Sequence, residues 1–292
     1  MRFRYTLFFL TTLILSSCSF FDKDEAIPSY VHIKKFQLNT TSAQGTNSNY
    51  ITDAWVYVDG NSLGVFELPC TIPVLTSGNT RITLYAGIKR DGVSAIRVIY
   101  PFYTNYVGDF DLTPGMVDTV SPTCTYFDPP LANISKEEFE DAGLKFSTDA
   151  MSTVDMVKTN TAGEVFEGTY SGKLELTSSD LLAKSYYTVN FDFPGNGAEA
   201  YLELNYKNNV QFVIGLEITE PLNVVQTDNT VINPSYDDNG NLIWKKIYCQ
   251  FTELINLHPN ATNYRIYIKA INTDATGGLF VLTDNFKVVY GD

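Results

Sequence analysis

The chain has 292 residues, 44% of them hydrophobic and 18% charged, with a formal net charge of −13. That length suits two ordinary domains, and that apolar content excludes a disordered chain. An acid balance of 33 Asp and Glu against 20 Lys and Arg repels phosphate backbones, so nucleic-acid binding through a basic patch is excluded. Aromatic residues make up 14%, with 19 Tyr and 19 Phe, which favours strands because rings pack well on a pleated surface.

The N-terminal stretch is a three-part secretion signal: basic Arg2 and Arg4, an apolar run from Tyr5 to Leu15, then small Ser16 and Ser17. Its apolar core is too short to span a bilayer, which takes about 20 residues. Leu15-Ser16-Ser17-Cys18 resembles the bacterial lipobox. The resemblance implies a signal peptide over 1–17, diacylglycerol on the Cys18 thiol, and a lipid-anchored protein of the outer membrane. Two or three acyl chains, at about 0.8 kcal/mol per buried CH₂, anchor firmly. The alternative is an ordinary cleaved signal with an incidental cysteine. Residues 18–29 then form a tether. Its acidic cluster Asp22-Lys23-Asp24-Glu25 resembles the surface-export signal of some Gram-negative lipoproteins; taken alone, it is a solvated linker.

A first β-rich module is expected over 30–126. Tyr30–Phe36 mixes aromatic and β-branched residues, and Asn39–Asn49 is a polar loop. Ala54–Val58 runs into Asp59-Gly60, a tight-turn signal, and on to Leu63–Leu68. Pro69 and Pro73 bracket Cys70-Thr71-Ile72 and should end that strand pair, because proline donates no ladder bond. Turns at Ser77-Gly78-Asn79 and Asp91-Gly92 frame strands at Arg81–Tyr85 and Ser94–Tyr100. Pro101–Tyr106 is a dense aromatic cluster read as core or interdomain packing, with a binding surface as the alternative. A final strand over Met116–Tyr126 is interrupted at Pro122. Turns this frequent imply a compact antiparallel sandwich. The order Val56-Tyr57-Val58-Asp59-Gly60, Leu63-Gly64, Pro69, Ile72-Pro73-Val74-Leu75, Gly78 resembles the PEGA-type, Ig-like β-sandwich of bacterial surface proteins, with Leu68-Pro69-Cys70-Thr71 in place of the signature tetrapeptide. Cys70 and Cys124 share this module and are candidates for a disulfide in an oxidising envelope. Cys249 sits in a strand-like run and is expected to be a buried small hydrophobe.

Asp128-Pro129-Pro130 is a natural boundary before a second module over 127–292. Ser135-Lys136-Glu137-Glu138 has helix-capping spacing, with room for about one turn. Beyond it the period is two: Lys173–Thr177, Tyr187–Phe193, Tyr201–Tyr206 and Tyr264–Ala270 alternate as half-buried strands do. Phe212–Ile218, Ile243–Phe251 and Leu279–Tyr290 are further strands, and Asn239-Gly240 marks a hairpin. The class is therefore all-β, two antiparallel sandwiches, the second a jelly roll. Phe139-Glu140, then Gly168-Thr169-Tyr170-Ser171-Gly172-Lys173-Leu174, then Leu282-Thr283-Asp284-Asn285-Phe286 resemble the galactose-binding-like jelly roll of carbohydrate-binding modules. The resemblance implies a structural Ca²⁺ held by Glu140, by oxygens of Thr169 and Lys173, and by Asp284, since a hard cation takes oxygen ligands.

Sugar recognition needs exposed aromatic faces beside hydrogen-bonding side chains. The candidates are Tyr187, Asn205, Tyr206, Trp244 and Tyr248. His32 and His258, the only histidines, fall in different modules. No nucleophile-elbow, metalloprotease or phosphate-loop pattern stands in the chain, and nothing marks a pair of carboxylates for glycoside hydrolysis. The expectation is a non-enzymatic envelope protein whose partner is a glycan or another envelope protein; the alternative is a structural subunit of a surface assembly.

Overall fold

The computed structural model describes residues 25–292; Cys18 and the signal segment lie outside the described residues. The chain is all-β and builds two sandwiches. The first holds β1 (Ser29–Ile33), β2 (Gln37–Asn39), β3 (Asp53–Val58), β4 (Asn61–Glu67), β5 (Cys70–Val74), β6 (Gly78–Lys89), β7 (Arg97–Ile99), β8 (Tyr106–Leu112), β9 (Val117–Val120) and β10 (Thr123–Thr125). One sheet runs β4-β3-β6-β7, with β8 also on β6; β5-β1-β9 and the pair β10-β2 lie opposite. Val31, Ile33, Val56, Ile72, Ile82 and Leu84 fill the space between, all at 0% exposure. Asp59 and Gly60 both take positive φ, 48° and 81°, as a two-residue hairpin turn between β3 and β4 requires.

Three expectations change in this module. Pro73 does not end a strand: β5 pairs only with β1, so Pro73, opposite Tyr30, sits on an edge where a missing N–H costs little. The sandwich is not wholly antiparallel, because β1 runs parallel to β9 and β2 parallel to β10. Cys70 and Cys124 are free thiols rather than a disulfide. They belong to different sheets, Cys70 opposite Ile33 on β1 and Cys124 opposite Leu38 on β2. Burial pushes the Cys124 thiol up to about 12.

The second sandwich holds β11 (Asn133–Glu137), β12 (Phe146–Thr148), β13 (Val157–Thr159), β14 (Ser171–Leu176), β15 (Leu182–Tyr187), β16 (Ala200–Asn208), β17 (Phe212–Thr219), β18 (Val224–Ile232), β19 (Lys245–Gln250), the short helix α1 (Thr252–Asn256), β20 (Asn263–Ile271) and β21 (Leu279–Tyr290). One sheet runs β13-β14-β21-β16-β19 with β11 on β21; the other runs β12-β15-β20-β17-β18. Leu202, Leu204, Ile214, Leu216, Ile266, Ile268, Phe286 and Val288 fill the core between them. Burying a side chain of this size contributes about 1.5–3 kcal/mol.

Ser135–Glu137 is strand, not helix, and Glu138 follows its end: residues 133–137 pair antiparallel with β21, and that ladder outweighs the local capping pattern. The strand begun before Tyr187 ends there, and only a bridge from Phe191 to Tyr264 continues it. Asn239-Gly240 turns between single bridging residues, Tyr236 and Leu242, rather than between long strands. Cys249 is fully buried in the core, as expected. Among the described residues no helix is long and apolar enough to cross a membrane.

Candidate functional site

Alternation on β16 decides what the two modules share. Leu202 and Leu204 point into the second core, so Tyr201, Glu203 and Asn205 point the other way, onto the first module. Lys246, Tyr248 and Gln250 do the same on β19. The aromatic cluster after β7 meets them. Tyr100 packs against Phe102, Tyr103, Tyr201 and Tyr248 with ring centroids 4.5–5.5 Å away. Phe102 and Tyr103 of that cluster pack in the first module's core and against the second module, rather than lining a binding surface.

Polar groups lock this junction. Glu203, at 0% exposure, accepts the Tyr100 hydroxyl at 2.9 Å and the Tyr126 hydroxyl at 2.7 Å on Oε1. Lys246 Nζ lies 3.0 Å from Glu203 Oε2, off the line of a good hydrogen bond, so charge rather than direction holds the pair. The polar loop over 39–49 crosses to the second module. Thr46 N donates to Glu138 (3.1 Å), Ser48 Oγ donates to Asn205 Oδ1 (2.9 Å), and Tyr50 N donates to the Tyr248 hydroxyl (3.0 Å).

Where that loop, the β6–β7 turn and the start of β19 meet, a cavity of about 520 Å³ opens. Its apolar walls are Tyr50, Phe166, Tyr206 and Trp244; Asn49, Asn205 and Lys245 supply polar atoms. Tyr50 is 51% exposed, and the Phe166 and Trp244 rings lie 5.4 Å apart at 55°. Trp244 Nε1 is buried with no hydrogen-bond partner. The volume lies within the usual range for small-ligand sites, about 300–1,000 Å³, and a domain junction is a usual place for one.

Asn205, Tyr206 and Trp244 are thus brought together, although 37 positions separate the last two. Tyr187 and Tyr248 are not with them. Tyr187 is fully buried among Phe146, Phe191 and Phe286, its hydroxyl 3.0 Å from Ser135 Oγ. Tyr248 is fully buried inside the junction. Each is a packing residue, because its strand phase turns it away from solvent. Tyr50 and Phe166 were missed, since both come from loops with no periodic signal.

The residues expected around calcium fall in two groups. Glu140 Oε1 accepts Thr169 N at 2.8 Å and Tyr170 N at 2.9 Å. Lys173 Nζ points its charge at Glu164 and Glu175, at 2.8 and 2.9 Å. That half is already satisfied and does not suit a cation. Asp284 lies apart, 1% exposed, accepting Ser171 Oγ at 2.6 Å and Asn285 N at 2.7 Å. Beside it Asn285 Oδ1 is buried with no partner, and Asn285 Nδ2 donates to Glu167. This oxygen-rich half does suit a hard cation. Among the described residues no three His, Cys, Asp or Glu side chains gather as a metal cluster.

Two other features compete with the junction cavity. The outer face of β15-β20-β17-β18 carries Tyr186, Tyr267, Arg265, Glu217 and Gln226, none of them singled out in the sequence. The Tyr186 hydroxyl donates to Asp149 (2.8 Å), the Tyr267 hydroxyl donates to Asp228 (2.6 Å), and the Arg265 guanidinium lies 4.0 Å over the Tyr186 ring. That face is closed on itself, both rings at 4% exposure or less. A cavity of about 600 Å³ between loop 192–197 and residues 255–261 takes its Phe and Tyr rings, Phe193 and Tyr264, from the buried core, and its one imidazole, His258, is already paired with Glu220 at 2.9 Å. Tyr206 is itself a core ring at 8% exposure, but Tyr50, Phe166 and Trp244 are partly exposed, and the junction cavity alone of the three joins such rings to convergent polar groups.

No protein-family model and no curated protein sequence matches the chain. Solved structures resemble parts of it. The enzymatically active domain of tailspike protein 4 from bacteriophage CBA120 aligns at 14% identity and a TM-score of 0.37, over 53% of this chain and 20% of that one. The chain therefore spans about a fifth of that domain's length. A carbohydrate-binding module of the β-sandwich superfamily aligns at 16% identity and a TM-score of 0.38, over 80% of this chain and 84% of the module. The family 30 carbohydrate-binding module of a cellulosomal cellulase from Clostridium thermocellum aligns at 13% identity and a TM-score of 0.39, over 53% and 96%. Likenesses at this level assign neither ligand nor activity.

Proposed function

We propose that this chain is a non-catalytic glycan-binding protein of a bacterial envelope, held there by lipid on Cys18, with the sugar seated in the junction cavity. One observation carries the reading: Asn205, Tyr206 and Trp244 gather with Tyr50 and Phe166 around a single opening. Rings of this kind cover the apolar face of a pyranose, and the amides meet its hydroxyls. Binding rather than turnover follows from the lining, which brings no carboxylate to a bound sugar, whereas glycoside hydrolysis takes two.

A glycan array probed with the full chain tests this. Trp244→Ala should weaken the strongest signals at least tenfold, as loss of a buried aromatic anchor does, while Tyr187→Phe, altered only in the core, should leave them unchanged. A Trp244→Ala protein that binds as well as the parent would end this reading.

The anchor is tested separately, by fractionating cells. The parent should sediment with membranes and Cys18→Ala should appear in the soluble fraction. Equal sedimentation of both would remove the lipid from the proposal. Calcium beside Asp284 belongs to the same reading, supported by the partnerless Asn285 oxygen.

A further inference from the structure

We propose that the junction cavity selects a sugar bearing an acid group over a neutral one, an inference that rests on the glycan reading above. The ground is a reversal of charge. Acidic side chains outnumber basic ones across the chain, 33 to 20, yet the cavity wall includes Lys89, Lys245 and Lys246 and no Asp or Glu.

The three lysines are not equivalent. Lys246 is neutralised by Glu203 beneath the wall. Lys89 lies 3.4 Å from Glu67, a carboxylate that also takes Arg97 at 3.1 Å. Lys245 donates to the Tyr236 carbonyl oxygen at 2.8 Å, and among the described residues it has no carboxylate partner. Its remaining N–H bonds and its charge are therefore available.

Among the neutral groups, Asn205 points the same way. Asn205 Oδ1 is occupied by Ser48 Oγ at 2.9 Å and Asn285 Nδ2 at 3.3 Å. What Asn205 offers a ligand is its amide N–H. A wall that supplies donors and positive charge asks for a ligand rich in acceptors and negative charge. The fit is a pyranose laid against Trp244 and Phe166, its hydroxyl oxygens toward Asn205 and Asn49, and its acid group at Lys245. A carboxylate, as in a uronic acid, and a sulfate ester both present that chemistry.

An array of uronate and sulfated oligosaccharides, each beside its carboxyl-reduced or desulfated counterpart, tests this with the full chain. The acidic member of at least one pair should bind about tenfold more tightly, the difference between a charge-assisted and a neutral hydrogen bond. Raising the salt concentration should shrink that margin. Lys245→Gln should weaken the acidic member about tenfold more than its neutral counterpart and so erase the margin; Lys245 is only partly buried, and an unchanged melting temperature checks the variant's fold. Preference within uronate pairs assigns the carboxylate, and preference within sulfated pairs assigns the sulfate. Equal binding across every pair overturns the inference while the glycan reading stands. So does a Lys245→Gln loss equal for both members. Absence of all binding, neutral sugars included, overturns the glycan reading itself.

Discussion

Replacing Glu203 by Gln should cost the protein roughly 3–5 kcal/mol of stability, the usual effect of removing one partner from a buried ion pair. Glutamine still accepts the Tyr100 and Tyr126 hydroxyls, so the loss isolates charge. Lys246, with a side chain 3% exposed, would be left without compensation. Lys287 would suffer too: burial already pushes it down to about 8 against the pull of Glu203. Urea midpoints read the effect. The double variant Glu203→Gln, Lys246→Met should recover most of the loss, because two neutral groups replace the pair. A single variant as stable as the parent would show that the pair does not hold the modules together.

The same carboxylate sets an acid limit. Burial pushes Glu203 up, but Lys246, Lys287 and the Tyr126 hydroxyl outweigh it and hold it below its ordinary value. A depressed carboxylate contributes stability above its unfolded pKa and loses it as pH falls through the folded one. The junction should therefore loosen in strong acid.

The second large effect has the opposite sign. Burial pushes the Asp284 carboxyl from 3.8 up to about 7, and the nearby charge of Glu167 adds to the rise. Below pH 3.8 both folded and unfolded chains hold this proton. Between 3.8 and 7 only the folded chain does, so stability should fall as pH rises through that window and level off above it. A shift of this size corresponds to at most about 4 kcal/mol. Asp284→Asn should flatten the fall, since an amide does not ionise. Its one oxygen keeps only one of the two acceptor roles, toward Ser171 Oγ or toward Asn285 N, which meet different carboxylate oxygens, so the variant is compared by the slope of its pH profile rather than by its absolute stability. Melting temperatures at pH 5 and pH 7.5, for parent and variant, measure it. Calcium supplies a third arm. If the ion sits beside Asp284, added calcium should raise the parent's melting temperature at pH 7.5, a chelator should reverse the rise, and the variant should not respond. Identical pH profiles for parent and variant would refute the buried-carboxyl account, and a parent indifferent to calcium would dispose of the ion.

Strands with strict alternation were legible. Lys173–Thr177, Tyr201–Tyr206 and Tyr264–Ala270 fall within or overlap β14, β16 and β20, and Leu279–Tyr290 coincides with β21. β18 was not legible, because its outward positions, among them Gln226 and Asp228, give an edge strand a loop-like composition. β11 was misread because Ser-x-x-Glu is a helix signal locally, and only its distant partner β21 makes it a strand. The site was half legible. Residue types suited to sugar pointed to Asn205, Tyr206 and Trp244. Phase was the missing quantity: Tyr187 faces the core while its neighbour Tyr186 faces outward, and nothing local separates two adjacent tyrosines. Nor does any local pattern show that Tyr50 will lie beside Trp244, since that depends on how two sandwiches dock.

The parallel pairing of the first sandwich's opening and closing strands bears on how it carries force. Tyr30 to Ile33 lie beside Val117 to Val120, and Gln37 to Asn39 beside Thr123 to Thr125. A pull entering at Ser29 and leaving at Thr125 draws these strands past each other along their length. Their ladder bonds are then strained together in shear rather than opened one at a time. If the protein is tethered ahead of Ser29 and load from a glycan in the junction cavity leaves through Thr125, this module is built to resist tension, and its yield point would be set by how fast those two ladders rupture.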